Sequence, residues 1–239
     1  MPARASTKPQ LPASLILDAR ELIAIWRARD PAEWSRSPER YRLLGEKVLR
    51  AGEPLLAYDL VSEGLGQFPG DVRLRQLQGL ALARSGANTR ASEVLAQLRR
   101  EKHADEKTLG MLARTYKDGA DRAASAPARR ALLQRAADTY EEAYRLSRGI
   151  WTGINAATTA LLIGKRARAH SLAKEVQAAC RKQLAARRTD KFWLFATLGE
   201  AALVLRQRRD ADEWYARAGH IGGRRFGDLQ SSRRNARLT

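Results

Sequence analysis

Seven cations recur along the first half of the chain: Arg42, Arg50, Arg73, Arg84, Lys107, Arg114 and Lys117, with Glu39, Glu46 and Asp118 among them. A guanidinium fork donates two parallel N–H bonds to a carboxylate, so a row of arginines suits an acidic peptide segment. Further on stand Trp151, Asn155 and Trp193, with Ile154, Thr158, Leu161 and Leu162 around them. An asparagine amide can pair with a bound peptide backbone, and indoles are effective anchors in a groove. The plainer alternative is that the two tryptophans seal helix ends and Asn155 caps a neighbouring helix.

Covalent chemistry has no comparable set behind it. Cys180 is the only cysteine, and Arg181 and Lys182 beside it would favour a thiolate, but a buried or simply exposed thiol is the plainer reading. His103, His170 and His220 are isolated from any cysteine or carboxylate at zinc spacing. Gly149, Gly153, Gly222 and Gly223 lack the strand–loop–helix context of a phosphate loop. Glu141–Glu142 and Asp210, Asp212 and Glu213 read as solvated faces. The expectation is a binding protein with no catalytic set, no cofactor and no metal.

The charge is lopsided. Net charge is +18, with +5 over residues 1–119 and +13 over residues 120–239. The C-terminal excess sits in Lys165–Arg166, Arg168, Arg181–Lys182, Arg187–Arg188, Arg206, Arg208–Arg209, Arg224–Arg225 and Arg233–Arg234. Such clusters could line one edge and contact phosphates, so the alternative function is a nucleic-acid-associated basic repeat protein. Interleaved aromatics for base stacking are missing, which argues against sequence-specific single-strand recognition.

These residues must be positioned by helices. Ala, Leu and Arg dominate, aromatics are 6%, and β-branched residues are scarce. Tyr41, Leu44, Gly45 and Val48 are followed by Gly52, Ala57, Val61, Gly64 and Pro69. Moving 34 residues on, Gly45, Val48, Gly52, Ala57 and Val61 become Gly79, Leu82, Gly86, Ala91 and Leu95. This register resembles the tetratricopeptide repeat, two antiparallel helices whose small residues sit where helix A crosses helix B. One such pair cannot bury its apolar face alone, so neighbours stack into a superhelix.

Later repeats are looser. Leu109, Leu112, Ala113 and Tyr116 begin a third, completed by Ala136, Tyr140 and Ala143, with 117–130 expected as an inserted loop or frayed helix start. A fourth runs through Gly153, Ala157, Ala160, Ala169 and Val176, and a fifth through Leu198, Gly199, Ala211 and Tyr215. Leu15–Arg29 shows a helical apolar stripe expected to cap the array. The expected architecture is all-α: an α-α superhelix of about five helix pairs over 13–221, a disordered segment 1–12 and a basic tail 222–239.

Thr152, Gly153, Ile154, Asn155, Ala156 and Ala157, then Leu162 and Gly164, give a second resemblance, to the TRAFs-binding domain of apoptosis signal-regulating kinases and its bacterial relatives. Trp193, Ala196, Thr197, Glu200 and Ala201 match more loosely, and the likeness covers about 105–220. It implies a helical scaffold that binds signalling proteins through the concave groove; this chain shows no kinase or other effector sequence. The Arg- and Ala-rich composition resembles that of a bacterium with GC-rich DNA.

No apolar run approaches the roughly 18 residues of a membrane span, and the N-terminus lacks a signal-peptide apolar core. With one cysteine and no internal disulfide, the expected location is cytoplasmic and the expected partner a protein.

Overall fold

A computed structural model describes residues 17–186 and 190–238. The segment 1–12, Leu15, the Arg187–Arg188 pair and Thr239 lie outside them. Among the described residues the chain forms thirteen helices and no strand. Helices α1 (Ala19–Arg27) and α2 (Pro31–Trp34) precede five pairs. These are α3 (Glu39–Ala51) with α4 (Pro54–Gln67), α5 (Val72–Ser85) with α6 (Asn88–Arg100), α7 (Glu106–Ala120) with α8 (Ala126–Ser147), α9 (Ile150–Leu162) with α10 (Arg166–Ala185), and α11 (Lys191–Val204) with α12 (Arg208–Gly222). Helix α13 (Phe226–Ala236) follows. From α3 onward each helix packs on its successor, within a pair and between pairs, the solenoid arrangement.

Local chemistry starts and stops these helices. Asp71, Asp105 and Asp190 each cap an A helix, accepting from the backbone N–H of Leu74 (2.8 Å), Thr108 (2.7 Å) and Phe192 (3.2 Å). Pro54 and Pro127 occupy the first turns of α4 and α8, where a missing N–H costs nothing. Helices α3 and α5 end at Gly52 (φ 97°) and Gly86 (φ 95°), a left-handed conformation that is cheap for glycine.

The small residues of the 34-residue register are buried at helix crossings. A methyl at Gly45 would lie 3.0 Å from Val61 Cγ2, and one at Gly79 2.8 Å from Leu95 Cγ. Ala57 and Ala91 are fully buried opposite them. The two largest core clusters span α1–α5 and α7–α12, centred on Leu44, Leu60 and Leu74 and on Ala157, Leu172 and Leu198.

Of the stripe Leu15–Arg29, the described residues form α1 (Ala19–Arg27), which packs on α3 and is latched by polar groups as well. Glu63 of α4 accepts from Trp26 Nε1 (3.2 Å), Arg29 Nε (2.9 Å) and the Tyr41 hydroxyl (2.9 Å). Burial, then the Glu63 carboxylate, pushes the Tyr41 phenol up to about 12.

The expected insertion at 117–130 is a correction. Helix α7 runs on to Ala120, α8 begins at Ala126 and lasts 22 residues, and only five residues turn between them. Ser125 caps α8 by accepting from Ala128 N at 3.3 Å, and alanines and arginines are strong helix formers, so the extra length lengthens the helices.

Candidate partner-binding face

The A helices α3, α5, α7, α9 and α11 contact one another in sequence, so their free sides form one continuous inner face. All ten candidate residues lie on these helices. The structure divides them into three groups.

Arg42 and Arg73 cross-link neighbouring repeats. The Arg42 guanidinium grips Asp71, with its Nε 3.0 Å from Oδ2, and reaches Glu39 at 3.3 Å. Gln76, 34 residues after Arg42, donates to Asp105 Oδ1 at 3.0 Å in the same way. A side chain of one A helix therefore holds the capping aspartate of the next, a latch repeated at the period of the array. Arg73 donates to Glu46 at 2.6 Å. The hollow here is lined by Arg42, Arg73 and exposed Lys107, but also by Glu39, Glu46, Asp71, Asp105 and Glu106. The expected basic row is thus balanced by carboxylates that α3, α5 and α7 bring beside it.

Arg50 and Arg84 face a carboxylate, that of Asp228 in α13. Arg50 Nε lies 3.6 Å and Arg84 Nη2 3.8 Å from its oxygens. Arg84 also donates to the Leu49 carbonyl at 2.5 Å. Burial, with Arg114 adding repulsion, lowers the Arg84 pKa, and Asp228 offsets part of that. The group stays cationic at neutral pH, as guanidinium groups do.

The remaining candidates surround a cavity of about 40 Å³, room for a few waters. Arg114, Lys117, Trp151, Asn155 and Trp193 line it with Asp118, Tyr140 and Glu200. Asn155 donates to the Trp151 carbonyl one turn back at 2.9 Å and accepts from Lys117 Nζ at 3.0 Å, so it does not cap a neighbouring helix. Trp151 packs over Gly110 of α7, where a methyl would lie 2.5 Å from its ring; Trp193 stands edge-on to Phe192 at 5.2 Å. Burial lowers Lys117 to about 8, against the opposing pull of Glu200 and Asp118. Burial likewise raises Glu200, although Lys117, Thr158 and Asn235 each work to lower it.

Sequence reasoning missed Glu200, Asp121 and Asp190 as members of this face, and it treated 222–239 as a tail. Helix α13 lies on the inner face. Arg225 donates to Asp190 Oδ1 (2.6 Å) and Asp228 (2.9 Å), and Arg234 pairs with Asp118 (2.9 Å) and Asp121 (2.8 Å). Asn235 accepts from Lys117 Nζ (2.9 Å) and donates to Glu200 (3.2 Å). Arg224 reaches back to Asp18 and Glu21 beside α1 at 3.6 and 3.5 Å. Three of the tail's four arginines in the pairs 224–225 and 233–234 are therefore neutralised within the fold. Lys165, Arg166, Arg206, Arg208 and Arg209 stay exposed at the α9–α10 and α11–α12 turns and Arg181 and Lys182 on α10, while Arg168 donates to Glu141 at 3.2 Å.

Among the described residues no cluster of three His, Cys, Asp or Glu could hold a metal, and no helix is long and apolar enough to cross a membrane. Cys180 is buried, and burial pushes its thiol up to about 12, the reverse of activation by Arg181 and Lys182.

Residues 55–161 match the family model described as TPR-S: Tetratricopeptide Repeats-Sensor. A search of the curated proteins found no match. Among solved structures, TTC0263, a thermophilic TPR protein of Thermus thermophilus, superposes with a TM-score of 0.65 at 19% identity, over 84% of this chain and 98% of that one. MamA MSR-1 C2 (TM-score 0.46, 14% identity, 78% of this chain and 97% of that one) is more distant. So is a human IFIT1 dimer with PPP-AAAA (TM-score 0.48, 12% identity, 78% and 56%). The chain is by architecture a tetratricopeptide-type helical solenoid, similar over residues 55–161 to the Tetratricopeptide Repeats-Sensor family.

Proposed function

We propose that the chain is a protein–protein interaction scaffold whose inner face binds a helical segment of a signalling partner. The supporting observation is that a helix already lies there. Helix α13 engages Arg50, Arg84, Arg114 and Lys117, four of the candidate residues, through side chains that a separate polypeptide could supply. Arg50 and Arg84 beside Asp228 favour a partner with an acidic residue at that point. The likeness of Thr152–Ala157 to TRAFs-binding domains points the same way, although Gly153 within it has a packing duty, since a methyl there would collide with Tyr144 and Val176.

The test is affinity capture with the full chain, with and without nuclease, comparing wild type with Arg84→Glu and Asn155→Ala. Partners retained by the wild type and lost by both variants carry the reading; a partner set unchanged by either overturns it. Recovery of nucleic acid alone, lost as salt rises, would transfer the function to the exposed Lys165–Arg166 and Arg208–Arg209 turns instead.

A further inference from the structure

We propose that α13 is a displaceable internal ligand of the inner face, and that the partner segment replacing it is a helix of the same mixed charge. That segment would carry a carboxylate for Arg50 and Arg84 and, six residues on, an arginine for Asp118 and Asp121. The inference rests on the scaffold reading and specifies its ligand.

The contacts of α13 are those of a ligand more than those of a core helix. It reaches α3 through Asp228 and Arg50, α5 through Arg84, α7 through Arg234 with Asp118 and through Asn235 with Lys117, and α11 through Glu200. Four of the five A helices are thus read by one short helix. The reading is polar. Within α13 only Gly227 and Asp228 are fully buried; Phe226 is 62% exposed, and Leu229 packs only at the edge of a small cluster. An eleven-residue helix with so little apolar burial has weak intrinsic stability and a low free energy of local opening.

Shape complementarity is concentrated at one point. Any side chain at Gly227 would collide with the Leu49 carbonyl, so backbone meets backbone there and α13 docks in one register. The connection is suited to release: Gly223 adopts φ 49° in open space after α12 ends. Arg225 is the firm anchor, buried over the Phe192 ring at 4.5 Å and paired with Asp190. Opening therefore begins at the Arg234 end and proceeds towards the Gly223 hinge.

Charge selects the occupant. Without α13 the face offers Arg50 and Arg84, with Asp190 near by, at one end, and at the other Asp118, Asp121 and Glu200, which outnumber Arg114 and Lys117. A purely acidic segment would meet the second group and a purely basic one the first. Like-charge juxtaposition then rejects both, and a helix with an acidic start and a basic end is accepted.

The experiment uses the full chain and a fluorescent peptide spanning residues 224–238, followed by anisotropy. Wild type, its own face occupied, should bind the peptide at least about tenfold more weakly than the Asp228→Ala/Arg234→Ala double variant, whose internal helix is loosened. A peptide carrying the same two substitutions should bind neither. Hydrogen exchange on the wild type, which does not depend on how the variant folds, should show 226–236 exchanging much faster than α7 and α11.

If 226–236 exchange as slowly as α7, the helix is a fixed structural element and the inference falls, while the scaffold reading stands. If the segment opens but the peptide binds neither protein, the inner face is no helix-binding site, and both readings fall. Concentration-dependent dimers joined by exchanged α13 helices would replace the internal ligand by a second copy of the chain and overturn the proposal.

Discussion

Arg234 donates to Asp121 at 2.8 Å across 113 positions of sequence, and the same guanidinium lies 2.9 Å from Asp118. This joins the last helix to the third repeat. Arg234 is 37% exposed and Asp118 only 4%. Reversal to Arg234→Glu sets three carboxylates together, with Arg114 at 3.4 Å the remaining partner of Asp118. Solvent screening at Arg234 keeps the expected loss near 1 kcal/mol in urea unfolding. Arg233→Glu, at an exposed position one residue away, should stay within about 0.5 kcal/mol of wild type. Equal effects from the two would deny the pairing.

Lys117 sets a pH dependence whose sign follows from its burial. Its folded value, about 8, lies below the 10.5 of a free lysine. Between those values the unfolded chain holds a proton the folded chain has released, so this group's contribution to stability rises with pH over that window. Lys117→Met should flatten the rise in denaturant midpoint between pH 8 and 10. It also removes the cation that lowers Glu200, so the variant should lose stability more steeply than wild type as pH increases from acid. Parallel pH profiles for the two proteins would contradict the burial of the amine.

Close approach at helix crossings predicts opposite outcomes for two glycines. Gly110→Ala forces the Trp151 ring, 2.5 Å from the new methyl, to move, and should cost about 1–3 kcal/mol. Gly66 in α4 has open space around it, so Gly66→Ala should stabilise by about 0.5–1 kcal/mol through helix propensity alone. Calorimetric melting of the two variants gives both signs in one experiment.

Cys180 should behave as a reporter of unfolding. Buried in the α7–α12 core, with its thiol pushed up to about 12, it should react with an aromatic disulfide reagent only as fast as the protein opens. Rapid reaction of the native chain at neutral pH would show that the helices packed against α10 do not cover it.

The all-helical solenoid was legible in the sequence because its causes are local and repeat. Gly45 and Gly79 are small because Val61 and Leu95 cross there, and Gly52 and Gly86 end helices in a conformation that other residues resist. Such steric demands recur every 34 residues and can be read without knowing the neighbours. The same reasoning misjudged 117–130, where alanine and arginine propensity plus a Ser125 cap lengthened two helices instead of opening a loop.

What each charged side chain does on the inner face was decided only in three dimensions. Arg42 and Gln76 latch the capping aspartates of the following repeats, while Arg50 and Arg84 face Asp228 from the far end of the chain. Sequence spacing marked these arginines as able to hold a carboxylate. It could not say which carboxylate, because electrostatic pairing depends on separation in space, and the curvature of the stacked repeats sets that separation. The position of α13 has the same origin: its composition reads as a basic tail, and only the closed inner face shows Asp118, Asp121, Asp190 and Glu200 waiting where its arginines and Asn235 fall.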